Sequence, residues 1–349
     1  MTRSTRRPPL VRALALLATG LLATGLAACS DEPEPEPTAA PTTTTRAPGV
    51  SENTETVAPV LRSSVLTGLP VADGPVLAVK IDNTAKARPR VGINSADVVY
   101  VEPVEGGATR LNAVFSTRMP AQVGPVRSAR VSDGSILQPY GPVAFAYSGG
   151  SEGTVDQLRQ TPLVHVSMDT SGEGFRREGG RSAPYNVIGD PAALLARAGG
   201  SVAPADIGFR FGPLPAGGTP VQSGATRYNL ALLQFVWSAG ERRWLLTTDG
   251  TADVDSEGKQ VGPTTVVFQQ VPVVASGNRD VTGAVTPDVV LTGSGQATVL
   301  RDGQAFNAQW SRPEGSATTS FTLNGAEMPF AAGQVWVVLV SPTQGVTLG

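Results

Sequence analysis

The sequence predicts a mixed α+β protein, in which an N-terminal α/β domain precedes a smaller, mainly antiparallel β domain. Short apolar runs of strand length alternate with Gly, Pro and Asn throughout the chain. Signals for helices occur only in the first part, and turn dipeptides typical of β-hairpins occur in the second. The 349 residues include 40 glycines and 29 prolines, and this composition is typical of a chain with many turns.

Residues 1–28 have the pattern of a bacterial lipoprotein signal peptide. A basic stretch precedes an apolar segment at 13–28, which is shorter than the ~20 residues of a membrane-spanning helix. The segment ends in Leu26-Ala27-Ala28-Cys29, which resembles a lipobox, where the cysteine receives a diacylglycerol and becomes the mature N-terminus. Cys29 is the only cysteine of the chain and is the predicted lipidation site. A plain signal peptide is the alternative.

Residues 29–56 are predicted to be a disordered tether. They are acidic and rich in Pro and Thr, with a run of alternating Glu and Pro and a tract of threonines at 42–45. Such a segment buries too little apolar surface to fold. The N-terminal features together predict an extracytoplasmic protein, anchored through Cys29 to the outer face of the bacterial cytoplasmic membrane.

The α/β domain is predicted to span residues 57–207. Apolar, β-branched runs predict strands at 76–81, 97–102, 109–117 and 143–147. Ser151 before residues 154–158 predicts a short capped helix. Asp190-Pro191 before 192–197 and Gly199 predicts a second helix, with an N-cap residue, proline in the first turn and glycine at the end.

The Gly- and Pro-rich residues 208–225 predict a linker or long loop, followed by a β-rich domain at 226–349. Asp249-Gly250, Asp302-Gly303 and Asn324-Gly325 are strong hairpin-turn dipeptides. Strands are predicted at 230–237, 242–248, 264–274, 297–301, 304–310, 318–323 and 335–340.

Charge and composition exclude several classes of function. The formal net charge is −2, which argues against a nucleic-acid binder. One cysteine and one histidine exclude intramolecular disulfides, cysteine-rich zinc sites and multi-histidine metal sites. No cofactor site is predicted.

Gly149-Gly150-Ser151-Glu152-Gly153 fits the G-x-S-x-G pattern of a hydrolase nucleophile between a strand and a helix. The only histidine, His165, follows 14 residues after Ser151, so the usual spread of a catalytic triad is missing. We therefore interpret Gly149, Gly150 and Ser151 as a turn in which Ser151 caps a helix. Such a turn can offer backbone N–H groups to an anion, and without a lysine it is not a P-loop.

Arginines are concentrated in the α/β domain and are the main candidates for a ligand site. Guanidinium groups match phosphate and carboxylate in a bidentate manner. The same arginines could instead form structural ion pairs with nearby carboxylates, and those carboxylates could also hold Mg²⁺ or Ca²⁺. The anion-binding candidates are Arg88, Arg110, Arg127, Arg130, Arg176, Arg177 and Arg181, and the carboxylate candidates are Asp82, Asp97, Glu102 and Glu105.

The motifs resemble the YerB-like lipoproteins over residues 65–349. They are Ala78–Asn83, Ala87–Pro89, Ser95–Glu102, Glu105–Arg110, Val123–Arg130 and the Gly149–Ser151 turn. This family is described as a domain of unknown function, so the resemblance implies a location and a two-part architecture rather than an activity. The family pattern has Pro-His-Asn where this chain has Pro184-Tyr185-Asn186. A mechanism that needs that histidine as a base is therefore in doubt, because the phenol has an ordinary pKa of ~10.

Two functions remain open. The first is an envelope lipoprotein that binds an anionic cell-wall ligand or a wall-assembly protein; its partners would be the membrane, a wall polymer, a lipid-linked precursor or a wall-synthesis protein. The second is a phosphotransferase-like enzyme acting on lipid-linked wall precursors with Mg²⁺, by analogy with the LytR-CpsA-Psr enzymes. No catalytic residue is identified, and binding is favoured over catalysis.

Overall fold

The computed structural model describes residues 63–280, 282–315 and 318–349, so Cys29, the signal peptide and the tether lie outside the described residues. Strands account for most of the regular structure. They are β1 (Leu77–Asp82), β2 (Val98–Pro103), β3 (Thr109–Phe115), β4 (Ala144–Tyr147), β5 (Val164–Ser167), β6 (Phe175–Arg177), β7 (Val187–Gly189), β8 (Thr219–Pro220), β9 (Ser223–Tyr228), β10 (Ala231–Ser238), β11 (Arg243–Thr248), β12 (Thr251–Ala252), β13 (Thr265–Gln270), β14 (Val273–Arg279), β15 (Val285–Val289), β16 (Gly293–Arg301), β17 (Gln304–Arg312), β18 (Ser320–Leu323), β19 (Ala326–Glu327), β20 (Val335–Val340) and β21 (Thr347–Leu348).

Helices are few and short within the described ranges. The three α-helices have six or seven residues each, and four 3₁₀ turns lie at Ala85–Ala87, Ile93–Ser95, Glu105–Gly107 and Gln138–Tyr140. No helix among the described residues is long and apolar enough to cross a membrane. The α-helices are α1 (Ser132–Leu137), α2 (Glu152–Leu158) and α3 (Pro191–Arg197).

A 12-stranded mixed sheet is the framework of the fold. Its order is β19-β18-β17-β16-β13-β20-β2-β3-β1-β4-β5, with β8 beside β17. β20 lies between β13 and β2 and runs parallel to both, so strands from both predicted segments share this sheet. A second sheet has the order β12-β11-β10-β9-β21, and β14-β15 and β6-β7 form separate pairs.

The large sheet is buried on both faces, and each face has its own core. Val98 and Tyr100 of β2 pack into one core with α1 and the aromatic cluster of Phe209, Phe321 and Phe330. Val99 and Val101, which point the other way because strand side chains alternate, belong to the second core. There β10 and β11 of the five-stranded sheet cover the large sheet with Leu233, Phe235, Trp244 and Leu246.

The predicted fold class was wrong. The described part of the chain is mostly β, with a mixed sheet, rather than an α/β domain followed by a mainly antiparallel β domain. The reason is that a strand buried on both faces has the same apolar sequence whether helices or another sheet cover it. Here the five-stranded sheet covers much of one face, and the helical signals at 154–158 and 192–197 correspond to two-turn helices.

Local elements were predicted more accurately than their assembly. Strands formed at 335–340, 109–115 and 243–248, within or at the predicted bounds. The predicted strand at 264–274 is divided at residues 271–272 into β13 and β14. Both residues of Asp249-Gly250, Asp302-Gly303 and Asn324-Gly325 have positive φ angles, as a type I′ hairpin turn requires.

Candidate functional site

The site lies where three parallel strands of the large sheet end. β1 runs parallel to β4, and β4 runs parallel to β5, so the residues that follow these strands meet at one edge. Polar groups at the carboxyl ends of parallel strands commonly form ligand sites. Here these ends supply Asp82, the turn at 148–151 and Asp169.

The segment that carries Arg127 and Arg130 is inserted between the ends of β1 and β4. The N–H of Arg127 donates to the carbonyl of Lys80 at 2.9 Å, and the N–H of Ser148 donates to the carbonyl of Arg127 at 2.9 Å. The N–H of Ala129 donates to the carbonyl of Gly149 at 2.8 Å. These backbone bonds extend the sheet at its edge and hold both arginines beside the 149–151 turn.

A cavity of about 460 Å³ opens at this edge and is called the arginine cavity below. Three predicted arginines and the predicted glycine-rich turn line it together with residues from the β14–β15 hairpin. Its defining residues are Arg110, Arg127, Arg130, Glu105, Gly149, Gly150, Ser151, Asp169, Asp280 and Thr286.

Arg127 and Arg130 each form an ion pair with a carboxylate. Arg127 forms an ion pair with the buried Asp82. The Nε and Nη2 of Arg130 both donate to one oxygen of Glu105, at 2.8 and 2.6 Å. Burial acts to raise the pKa of Glu105, but hydrogen bonds from Arg130 and Thr286 outweigh it and lower the pKa below its usual range. Glu105 therefore stays ionised and fixes the orientation of Arg130.

Arg110 differs from Arg127 and Arg130 in that it makes no hydrogen bond to a carboxylate of the described residues. Its Nη1 donates to the carbonyl of Thr109 at 3.0 Å, and the nearest carboxylate oxygen, on Asp82, is 3.7 Å away. Its Nε is buried and has no hydrogen-bond partner in the described part of the chain. Burial lowers the pKa of Arg110 to about 10, so the group remains charged at neutral pH. A guanidinium has five N–H donors, and Arg110 therefore has donors left for a ligand.

A buried ionic network lies beneath the cavity. The amine of Lys80 donates to Asp133 at 2.5 Å and contacts Glu102, and all three side chains are fully buried. Asn112 also donates to Asp133 at 2.8 Å, and the N–H of Arg130 donates to the second Asp133 oxygen at 2.7 Å. The network thus joins α1 and three strands to the backbone that positions Arg130.

Gly149 permits the close approach of Asp169 to the cavity. Its φ is +133°, and a Cβ at this position would lie 2.5 Å from an oxygen of Asp169. Asp169 therefore faces both the arginine cavity and a neighbouring cavity of about 430 Å³ that contains His165. The two acidic groups at the rim, Asp169 and Asp280, mean that the cavity is not uniformly basic.

The other candidate arginines lie outside the arginine cavity. Arg88 pairs with Asp253 at 3.2 Å, and Arg176 donates to Gln122 at 2.7 Å. Arg177 donates to Asn186, and Arg181 binds Glu178 and two backbone carbonyls near residues 87–89. These four side chains make local structural contacts and do not converge on the arginine cavity.

The candidate carboxylates do not form a metal site. Asp82, Glu102 and Glu105 are occupied by Arg127, Lys80 and Arg130. Asp97 lies at the start of β2 and accepts hydrogen bonds from Ser116 and Thr117; burial raises its pKa. Within the described ranges, no group of three or more His, Cys, Asp or Glu side chains could hold a metal ion.

The structure does not bring Ser151 and His165 together. The hydroxyl of Ser151 donates to Thr154 at 2.9 Å, and the Nε2 of His165 donates to the carbonyl of Leu158 at 3.1 Å. Ser151 occupies the N-cap position of α2, as predicted, but its side chain makes no capping hydrogen bond.

Sequence reasoning missed the groups that complete the cavity. Asp169 could have been noticed because it follows a short apolar run, as polar site residues in parallel sheets often do. Asp280 and Thr286 come from a hairpin more than 150 residues from Arg127 in the sequence, and no local pattern identifies them.

Two family models match the chain. Residues 66–203 match the model described as "Protein of unknown function (DUF3048) N-terminal domain", and residues 225–337 match the corresponding C-terminal domain. The chain is 25% identical over 295 residues to "Putative lipoprotein YerB" of Bacillus subtilis (strain 168), covering 79% of this chain and 85% of that protein. A crystal structure of the YerB protein from Bacillus subtilis matches with a TM-score of 0.71 at 22% identity, covering 82% of this chain and 99% of the other. That structural match shows a shared fold.

Proposed function

The chain belongs to the DUF3048 family, as its motifs indicated, and on this premise we propose that it is a lipid-anchored extracytoplasmic protein whose arginine cavity binds an anionic envelope ligand. The relative named as a lipoprotein supports the location, and the lipobox at Cys29 supplies the anchor. The convergence of Arg110, Arg127 and Arg130 on one cavity carries the proposal for the ligand.

The three arginines suit a phosphate or carboxylate because they are fixed before a ligand arrives. Asp82 and Glu105 hold Arg127 and Arg130, whose side chains are only 17% and 14% exposed. A charged side chain held by a buried partner loses little entropy on binding. Charge-assisted hydrogen bonds to an oxyanion are roughly twice as strong as neutral ones, and Arg110 still has unused donors.

The acidic rim narrows the class of ligand. Asp169 and Asp280 would repel an anionic group placed directly against them, but carboxylates accept hydrogen bonds from hydroxyl groups. A ligand that carries its anionic group next to sugar or polyol hydroxyls fits both halves of the cavity. Envelope polymers and their lipid-linked precursors have this combination of groups.

No specific observation favours the alternative of a magnesium-dependent phosphotransferase. The carboxylates that would bind the metal are engaged by Arg127, Lys80 and Arg130 in the described structure. The family and the relative that match the chain name no enzymatic activity. Binding is therefore the function that the cavity supports best.

The proposal is tested by the melting temperature of the full chain with methyl phosphate, a phosphodiester wall polymer or a neutral glycan. A ligand at a hundredfold excess over its dissociation constant adds about 2.7 kcal/mol to the free energy of unfolding. We expect stabilisation by the two phosphates and none by the glycan. The Arg127→Lys variant keeps the charge beside Asp82 but loses the planar guanidinium, and should lose most of this shift.

Arg176→Lys is the matched control, because Arg176 is about half exposed and lies outside the cavity. Its phosphate response should equal that of the wild-type chain. A phosphate response that survives Arg127→Lys and disappears in Arg176→Lys would place the site at β6 and the residues that follow it, and would contradict the proposal.

A further inference from the structure

A second cavity of about 310 Å³ has Tyr185 in its lining, and this ring contacts Arg127 of the arginine cavity. The guanidinium carbon of Arg127 lies 5.3 Å from the centre of the Tyr185 ring, and that ring lines the second cavity. Arg110 and Thr109, which are adjacent in β3, line the first and second cavities respectively. The contact between Arg127 and Tyr185 therefore joins a wall of the first cavity to a wall of the second.

The second cavity has a mainly apolar lining. Ala85, Ala108, Tyr185, Leu230 and Ala231 contribute to it. Leu230 is 66% exposed, the most exposed of the large hydrophobic side chains described. An exposed leucine beside an aromatic ring and three alanines leaves apolar surface in contact with water, which an apolar ligand would cover favourably.

The backbone holds Leu230 in this position. The N–H of Leu230 donates to the carbonyl of Gly107 at 3.2 Å. A Cβ on Gly107, whose φ is +75°, would lie 2.4 Å from the Cβ of Asn229. The turn between β9 and β10 thus rests against the glycine loop that carries Glu105, so the apolar surface and the arginine cavity are built on the same loop.

The charges at the boundary fit an anionic head group rather than a neutral lipid. Lys86 lies 5.9 Å from the centre of the Tyr185 ring, so the aromatic side chain is flanked by Lys86 and Arg127. Asp249 also lines the cavity and Arg88, paired with Asp253, lies on its wall. Two cations therefore lie at the Tyr185 ring, where the apolar lining of the second cavity meets Arg127 of the arginine cavity.

We infer that the site binds an amphiphile, with a phosphate group on Arg110, Arg127 and Arg130 and an apolar chain along Tyr185, Ala231 and Leu230. This inference rests on the proposed function and names its ligand class as a lipid-linked phosphate. A phosphodiester polymer without a lipid would use only the arginine cavity.

Calorimetric titration of the full chain with farnesyl phosphate, methyl phosphate and farnesol tests the two parts separately. Farnesyl phosphate should bind at least about tenfold more tightly than methyl phosphate or farnesol, and tenfold corresponds to about 1.4 kcal/mol. Leu230→Glu should abolish this advantage without changing the affinity for methyl phosphate. Arg127→Lys should weaken both phosphates and leave farnesol unchanged.

Leu214→Glu is the matched control, because Leu214 is 44% exposed and lines neither cavity. It should bind farnesyl phosphate as the wild-type chain does. All variants are made in the full chain, so any binding of farnesyl phosphate to the apolar segment 13–28 is the same in every titration.

Three results would overturn the inference. Equal affinities for farnesyl phosphate and methyl phosphate would remove the apolar subsite and leave the proposed function standing. An equal loss of affinity for farnesyl phosphate in Leu214→Glu and Leu230→Glu would show that the isoprenoid group does not bind at Leu230. If neither phosphate bound, the proposed function would fail as well.

Discussion

At the scale of single residues, the arginines predicted from sequence divide into two kinds. Arg110, Arg127 and Arg130 converge because their chain segments meet where parallel strands end, whereas Arg176 and Arg177 lie in β6 and Arg181 in the loop that follows it. Because all of these residues are arginines, the sequence predicted anion binding for both groups alike. Which arginines come together depends on strand pairing, and the local sequence does not specify that pairing.

Lys80 is the residue on which the buried network depends. Its pKa is lowered to about 8 by burial, with Asp133 acting in the opposite direction, so at pH 7 it is the cation between two buried carboxylates. Lys80→Met would leave Glu102 and Asp133 without that cation, and removing one partner of a buried pair costs about 3–5 kcal/mol. We expect a loss of this size in urea denaturation.

Lys259→Met provides the control, because Lys259 is exposed, and surface substitutions usually change stability by less than about 0.5 kcal/mol. A similar small change for both variants would show that Lys80 does not stabilise the site.

His165 predicts a pH dependence of stability. Burial lowers its pKa below the usual 6.5, although the hydrogen bond to Leu158 acts to raise it. Between the folded and unfolded pKa values the unfolded chain binds more protons, so the free energy of unfolding falls as the pH falls through that window. Denaturation between pH 7 and pH 5 should show a steeper loss for the wild-type chain than for His165→Gln. If the free energy of unfolding changed equally with pH in both proteins, His165 would not be the source of the pH dependence.

At the scale of elements, hairpins were predictable and sheet order was not. Asp302-Gly303 requires left-handed backbone angles that Asp and Gly readily adopt, so the β16–β17 turn follows from two residues. The position of β20 next to β2 depends on pairing across more than 200 residues of sequence, and its position next to β13 on pairing across about 70. The β14–β15 hairpin reaches the site for the same reason, through the bond from Thr286 to Glu105.

The turn that carries Leu230 offers a test with a close control. Gly106 and Gly107 both have positive φ angles, but a Cβ on Gly106 meets nothing, whereas one on Gly107 collides with Asn229. Both alanine variants pay about 1 kcal/mol or more for the left-handed backbone, and Gly107→Ala must also displace the β9–β10 turn. Chemical denaturation should therefore show a larger loss for Gly107→Ala, and equal losses would mean that the turn is not held by this contact.

At the scale of the whole molecule, the two family-matched segments share one sheet. All six residues of β20 are buried, and this strand lies between the two parts of the large sheet. The exported, lipid-anchored state is predicted from residues 1–29 alone, which lie outside the described residues. The β-rich architecture of residues 63–207 could not be distinguished from an α/β one, because the sequence of a doubly buried strand does not reveal what covers it.

Truncation tests how far the fold depends on that central strand. A chain ending at residue 331 lacks β20 and leaves β2 and β13 without their shared neighbour, so we expect no cooperative unfolding transition. Among the strands, a chain ending at residue 341 loses only β21, whose two residues are exposed. It keeps the whole large sheet and should still unfold cooperatively. If circular dichroism showed that residues 1–331 still unfold cooperatively, the claim that the fold depends on β20 would be wrong.

The most direct test of the central claim is a crystal structure of the chain with farnesyl phosphate bound. The account predicts that the phosphate lies within hydrogen-bond distance, about 2.7–3.2 Å, of at least two of Arg110, Arg127 and Arg130. The isoprenoid chain should extend past Tyr185 towards Leu230. A phosphate bound at Arg176, Arg177 or Arg181, with the arginine cavity unoccupied, would contradict it.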